Sequence, residues 1–462
     1  MVPAVATEAS SLTLPGRFRE NRHSMKSARP GAIFFGLSSF QALAMFRRGI
    51  FYTFLGVYMR TKLGLSVTET TLYETIPMIL NIAFQTFVWG RLTDRLQLRR
   101  SLIVAGEALA SAGHVAMWYL HSIAPSPRAA GYAIIGGLAV IEIFWSMSNI
   151  GWSAYISDVY SASERNAVQG RLASVGGAGR ILGAMIAGLL YDGLGRTYPS
   201  WGFAKGGIFF ASSIAMLVSI VPLLFIPEGG IAYRGEREGA AAPAGGEGTA
   251  REGRGGGIAV FALFVVAIFL VNSGLNSLAG LRAQYLDLEE GFAASARTVS
   301  LVLNVESAAL IVVGFLLGSL GRRMGIEALL LSGSGLGVLA LLLYAAAPGL
   351  WLVYAASVLK GVADGCISAS AYAFASTLIP PERRGRYFAI YNAAFFLSWG
   401  LSSTLVTGPI IDGLLSAGRG AVFSYRMGML SSAALALAGL AILALLLRAR
   451  KGRRAAGGLL TR

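Results

Sequence analysis

Apolar residues along this chain gather into runs of about 20 or more, separated by short polar joints. As a helix, a run of that length matches the ~30 Å hydrocarbon core of a bilayer. Backbone groups left unpaired in lipid cost several kcal/mol each, so such spans must be helical. The runs lack the two-residue alternation of a transmembrane β-strand. The pattern predicts spans near 32–58, 68–89, 101–120, 131–157, 167–190 and 203–226, then 258–281, 296–317, 327–347, 349–377, 387–411 and 422–447.

One long joint, 227–257, interrupts the series. It is rich in Gly, Ala, Arg and Glu, a composition that cannot bury apolar surface and reads as a flexible linker. The expected organisation is a tail over 1–30, a six-helix bundle over 31–226, the linker, a second bundle over 258–447 and a basic tail over 448–462. The first thirty residues contain no apolar stretch with a cleavage site, so no removable signal peptide is expected, and Met25 offers an alternative start.

The two bundles resemble each other. Loop 2–3 reads GRLTDRLQLRR from Gly90, and loop 8–9 reads GSLGRRMG from Gly318. Loop 4–5 has Ser-Glu-Arg-Asn from Ser163, and loop 10–11 has Pro-Glu-Arg-Arg from Pro381. Span 5 ends Gly-Leu-Leu-Tyr-Asp-Gly from Gly188, and span 11 ends Gly-Pro-Ile-Ile-Asp-Gly from Gly408. Landmarks matched in register indicate a duplicated six-span unit. The reading is an all-α membrane protein with 12 transmembrane helices in two pseudo-symmetric bundles.

Composition agrees: 55% of residues are hydrophobic and 13% charged, roughly half the charged share of a soluble protein. The net charge of +16 does not point to nucleic acid, because Lys and Arg concentrate in the tails, the linker and alternate loops. That positive-inside bias places both termini in the cytoplasm, and a plasma or inner membrane is expected. The single Cys366 lies in an apolar run, which excludes a disulfide framework and a Cys-based metal site.

The loop 2–3 segment resembles the signature of the major facilitator superfamily, G-x-L-x-D-R-x-G-R-R-R. Gly90, Leu92, Asp94, Arg95, Arg99 and Arg100 fit it, while Gln97 and Leu98 replace a glycine and a basic residue. The second copy keeps Gly318, Leu320, Arg323 and Gly325, with Arg322 where Asp is expected. Physically, Gly90 would let two helices approach closely, and Asp94 can face a helix N-terminus or a neighbouring arginine. The resemblance implies that Gly90, Asp94, Arg95, Arg99, Gly318, Arg322 and Arg323 belong to a gating network that latches an outward-open state. A second signature, G-P-x-x-G-G in span 5 of many antiporters, is eroded here to Gly183–Gly188 without proline, with a closer match at Gly408-Pro409 in span 11, which weakens the case for drug efflux. Gly176, Gly177, Gly179 and Gly183 instead suit close helix packing.

Charges at bilayer depth cost roughly 2.5–3.5 kcal/mol on insertion scales, so each is a candidate functional residue. In span 1, Arg48 shares a stripe with Gln41 and Tyr52, whereas Arg47 stacks with Phe40, Leu43, Phe51 and Phe54. Arg48 is the better candidate for a carboxylate- or phosphate-binding fork. Span 4 carries Glu142, Ser146, Asn149 and Ser153 on one face; span 7 carries Asn272 and Asn276; span 10 carries Ser357, Lys360, Asp364 and Ser368. The superfamily resemblance implies that spans 1, 4, 7 and 10 line a central cavity. Lys360 and Asp364, four apart, can as readily neutralise each other. Burial favours a protonated carboxyl, which ranks Glu142 first, then Glu74 and Glu306, as proton-coupling groups. Glu107 is a further buried acid, seven residues from His114 on one face of span 3, though its place near the cytoplasmic end would also let it meet the basic loop; Arg180 needs a partner that the sequence cannot name.

The expected function is transport of a small organic solute by alternating access, with proton coupling. A drug or metabolite efflux antiporter, a transport-dead sensor and a polytopic membrane enzyme are the alternatives. Three histidines and one cysteine offer no catalytic cluster, and no G-x-x-x-x-G-K-S/T loop is present. The expected partners are the solute, protons or another coupling ion, and the lipid bilayer. No cofactor is expected, and a monomer is.

Overall fold

The start of the second span shows how the sequence sets a helix. Ser66 is extended and its hydroxyl accepts from the Glu69 N–H (3.1 Å), while the Glu69 carboxylate accepts from the Ser66 N–H (2.8 Å). The exchange satisfies two amide donors that a helix start would leave orphaned. Ser126 and Ser295 cap two more starts through the N–H three residues on, and Pro127 follows Ser126, where a missing N–H costs nothing.

A computed structural model describes residues 30–160, 162–194, 202–230, 256–379 and 384–459. Helices occupy all twelve predicted stretches, and the described residues contain no strand. In the first half, α1 is Pro30–Tyr52 and resumes as Leu55–Thr61. α2 is Val67–Phe84, a π-helical turn at Gln85–Trp89, and Gly90–Leu96. α3 is Arg99–Ser122, α4 Pro127–Val159, α5 Ala162–Tyr191 and α6 Gly207–Leu224. In the second half, α7 is Gly256–Asn276 and resumes as Leu281–Asp287. α8 is Ala296–Met324, α9 Ile326–Ala346 and α10 Leu350–Leu378. α11 is Arg384–Leu397, a π-helical turn at Ser403–Thr407, and Gly408–Ser416; α12 is Ala421–Leu459.

Eight of these are long and apolar enough, by length and composition, to cross a membrane as single helices. Of the other four, α1, α2 and α11 are interrupted, and Glu107 and His114 dilute the apolar run of α3. Several boundaries differ from expectation: α4 begins at Pro127 rather than 131, α7 resumes to Asp287 rather than ending at 281, and α8 runs on to Met324 rather than 317. α12 continues as helix beyond 447 to Leu459. The stretch expected to be linker opens with a packed turn, where the Glu228 carboxylate accepts from the Ser101 N–H and hydroxyl (2.8 Å each) and pairs with Arg100 (3.2 Å). Residues 231–255 of the expected linker and 1–29 of the first tail lie outside the described residues.

Lipid supplies no hydrophobic drive between helices, so close packing must hold them together. Glycines supply it. A Cβ added to Gly179 would sit 2.9 Å from the Ala42 carbonyl carbon, and one on Gly183 would sit 2.9 Å from that of Phe46. Both positions join α5 to α1. Gly274 of α7 and Gly439 of α12 meet their partner helices as tightly.

The halves meet along α5 with α8 and α2 with α11, and through the short outer segments of α1 and α7. Ser300 donates to the Ala184 carbonyl (2.8 Å) and Asn304 to that of Ile181 (3.2 Å). Thr404 bonds Thr71 (2.8 Å) and Thr75 (2.6 Å). These contacts lie at the far side, away from the termini, and towards the middle. At the termini side, Asp94, Arg95, Arg322 and Arg323 are exposed.

Gly183→Val should drive α1 and α5 apart and destabilise the fold by at least about 1–3 kcal/mol. Gly136→Ala, at a position with no neighbour within 4 Å, should be neutral. Thermal unfolding in detergent compares the two; equal melting temperatures would refute the packing role.

Candidate functional site

The break in α7 between Asn276 and Leu281 turns the helix so that Arg282 enters the interior of the second half. There its guanidinium contacts the Glu306 carboxylate of α8 and donates to the Tyr344 hydroxyl of α9 (3.1 Å). Lys360 of α10 lies 3.5 Å from Glu306 and 2.7 Å from Asp364. Tyr344 in turn bonds Ser357 (2.7 Å). Two cations and two carboxylates from three helices thus neutralise one another in a low-dielectric interior, where an unpaired member would be costly. Lys360 and Asp364 do pair, and Glu306 is held by two cations. The apolar run of this span ends near 281, so its pattern does not place Arg282 in the interior.

The first half is built differently. Arg48 and Arg47 of α1 both lie over the Trp145 ring of α4, with guanidinium carbons 4.4 and 5.1 Å from its centroid. Such stacking stabilises a desolvated cation. Arg47 is 2% exposed, with Nε and Nη2 unpartnered, whereas Arg48 is half-buried. Glu142 is buried, accepts from Asn81 of α2 (2.6 Å) and lies within electrostatic reach of Arg48. Glu107 follows the first of its two readings, burial rather than contact with the basic loop. It is fully buried and accepts from Ser148 of α4 (2.8 Å), because that face of α3 packs on α4.

α4 packs chiefly on α2 and α3, and α10 on α8 and α9, so neither packs closely across the boundary between the halves. Arg180 of α5 is exposed although it sits mid-helix, and it acts electrostatically on both Arg48 and Glu306 from opposite halves. Arg180 is therefore an accessible cation at the boundary between the halves, which the sequence could not place. Asn149 is partly exposed, Gln41 lies against Gly176 of α5, and Tyr52 packs near Tyr73. Asn276 donates to Ser398 of α11 (3.1 Å), and Asn272 is buried. Glu74 lies where α2 meets the α7 break, beside Gly280 and within electrostatic reach of Arg282.

The far side is closed by a capping bond across the halves. The Asp412 carboxylate of α11 accepts from the backbone N–H groups of Val67 (2.9 Å) and Thr68 (2.8 Å) at the start of α2. It satisfies orphan donors at a helix N-terminus, where a negative charge is also favoured by the dipole. Gln284 adds a bond to Thr70 (3.0 Å) and accepts from Tyr425 (2.8 Å).

A family model described as Major Facilitator Superfamily matches residues 37–289 and again 263–459. The chain belongs to the Major Facilitator Superfamily. Among solved superfamily-like folds, it is similar to a mutant of the nucleoside transporter NupG, with TM-score 0.67 and 14% identity over 90% of this chain and 99% of that one. A bacterial homolog of the human lysosomal transporter Spinster, inward-facing and unoccupied, gives TM-score 0.64 and 14% identity over 91% and 98%. A mutant of the peptide transporter POT with sulfate gives 0.64 and 15% over 94% and 99%. At such identities the likeness shows the fold. A search of curated proteins gives no match.

The superfamily signature loop has a definite geometry here. Gln97 stands where the signature has glycine, and its φ of 56° is the left-handed conformation that glycine adopts at least cost. Arg99 donates to Asp158 at the end of α4 (2.9 Å) and to the Thr93 carbonyl (2.7 Å), whereas Asp94, 84% exposed, is 4.0 Å from it. Gly90 does not mediate a close helix approach; a Cβ there would meet the Gln85 carbonyl of its own π turn at 3.0 Å. A Cβ on Gly318 would meet only the Arg322 side chain. Residues 163–166 and 381–383 lie among those whose side chains are not described.

Arg282→Met should cost about 3–5 kcal/mol by stranding Glu306, and the double variant Arg282→Met/Glu306→Gln should recover much of that loss. Additive melting-point losses would exclude a coupled network. Asp412→Ala should loosen the far side by about 1–2 kcal/mol. A Thr71→Cys probe in a Cys366→Ser background would then react several-fold faster with an impermeant maleimide added on the far side; an unchanged rate would remove Asp412 from the seal.

Proposed function

We propose that the chain is a proton-coupled secondary transporter of a small organic solute bearing an anionic group. The observation that carries this reading is the placement of charge. The second half neutralises its own charges, while Arg48 and Arg180 remain accessible towards the boundary between the halves. Stacked on Trp145, the Arg48 guanidinium is a positioned fork suited to carboxylate or phosphate. The polar groups Gln41, Tyr52, Asn149, Asn272 and Asn276 supply hydrogen-bonding partners for the rest of the solute, with Lys360 and Asp364 on the opposite wall.

Alternating access is supported by the asymmetry of the interface. The halves are sealed at the far side, and the signature loops at the termini side are exposed. With both termini in the cytoplasm of a plasma or inner membrane, as the positive-inside bias favours, this is an inward-open state. The gating residues Gly90, Asp94, Arg95, Arg99, Gly318, Arg322 and Arg323 are then released from the contact that would latch the outward-open state. For proton coupling we favour Glu142, which lies within electrostatic reach of Arg48, and then Glu74 at the boundary between halves. Glu306 is the weakest of the three, because Arg282 and Lys360 already pair with it. A monomer suffices for this cycle.

Uptake of a panel of organic anions into proteoliposomes, with and without a pH gradient, tests the reading. Glu142→Gln should abolish accumulation against a gradient but retain downhill flux. Arg48→Gln should raise KM for the anionic solute at least about tenfold, the scale of one charge-assisted contact. Transport of neutral solutes alone, or full accumulation by Glu142→Gln, would overturn the proposal.

A further inference from the structure

A cavity of about 360 Å³ opens at the termini side of the second half, away from the boundary between the halves. Its walls include Met324, Ile326, Phe374, Thr377, Arg450 and Lys451, drawn from the α8–α9 corner and the ends of α10 and α12. Arg450 lies over the Phe374 ring at 5.2 Å. Its Nη1 is shielded from solvent and has no hydrogen-bond partner among the described residues. A buried guanidinium N–H without an acceptor is costly, so the site is incomplete as it stands.

The surroundings indicate what would complete it. Lys451 is exposed at the rim, and Arg322 and Arg323 are exposed at the end of α8. Gly325, with φ of 81°, starts α9 without any side-chain cap, and the first turn of α9 lines the cavity. One acidic residue, Glu327, is on the wall, and it already has a partner. The balance therefore favours an anion. Beside this basic site, Met324 and Ile326 are 45% and 40% exposed. Arg450 also lies just past the apolar run of α12, at the level where a membrane-spanning helix meets the headgroups. Basic groups at that depth, next to exposed apolar side chains, match a phosphate attached to acyl chains.

We propose that this cavity binds a phosphate group, supplied by the headgroup of an anionic lipid in the adjacent leaflet, with Arg450 and Lys451 as its principal ligands. Arg450 completes its hydrogen bonding on the phosphate oxygens, and Lys451 adds charge at the rim. The acyl chains run along Met324 and Ile326. The occupied cavity ties the end of α12 to the α8–α9 corner.

Native mass spectrometry of the detergent-purified full chain tests this, with dioleoyl phosphatidylglycerol against dioleoyl phosphatidylcholine. The expected result is preferential retention of phosphatidylglycerol, falling at least about fivefold in Arg450→Gln/Lys451→Gln and unchanged in Arg419→Gln on the far side. Millimolar inorganic phosphate that fails to displace the lipid identifies the lipid as the source. Displacement of the lipid together with stabilisation by phosphate alone identifies a free phosphate site with the same ligands. Thermal unfolding of the unmutated chain gives a reading independent of the variants, with phosphatidylglycerol raising the melting temperature above that in phosphatidylcholine. Equal retention and equal melting in the two lipids, or retention insensitive to the double substitution, would overturn the proposal.

Discussion

A charge placed inside a bilayer must be paired, stacked or given access to water, and this constraint organises the interior of the protein. The second half meets it by pairing. Arg282, Glu306, Lys360 and Asp364 form a closed set in which each charge faces an opposite one. The first half meets it by stacking, with Arg47 and Arg48 over Trp145 and Glu142 held by Asn81. The two solutions are not equivalent. Pairing leaves little charge for a ligand, whereas stacking leaves the guanidinium N–H groups available.

This asymmetry sits on a framework that is close to symmetric. α5 packs on α8 as α2 packs on α11, and each contact uses a small residue near the end of the duplicated segment, Gly188 against Ser300 and Gly408 against Thr68. The duplication thus supplies the bearing surfaces, and divergence between the copies supplies the chemistry. Asp412 adds a capping bond on one of the two surfaces, to the first amides of α2. A seal made from a few such bonds can be broken and remade, because each contributes only about 1 kcal/mol net.

The signature loop shows how a departure from a family pattern is read through backbone geometry. Gln97 occupies a left-handed position suited to glycine, and its side chain compensates by donating to the Asp94 carbonyl (2.6 Å) and accepting from Arg99 (3.1 Å). Arg99 is in turn anchored to Asp158. The substituted residue has become part of the charged network beside it.

The sequence by itself determined the helices, their grouping into two halves and the stripes that carry polar residues. These follow from periodicity and length, which are local properties of the chain and must match the bilayer. The Lys360–Asp364 pair was legible for the same reason, since four residues is one helical turn. The tertiary structure decided the rest. The α7 break carried Arg282 to Glu306, the packing of α3 on α4 buried Glu107 against Ser148, and α5 brought Arg180 to the boundary between the halves. Asn81 and Asp412 gained their roles from partners 61 and about 345 residues away. Such contacts depend on how helices rotate and cross, which no single helix's periodicity contains.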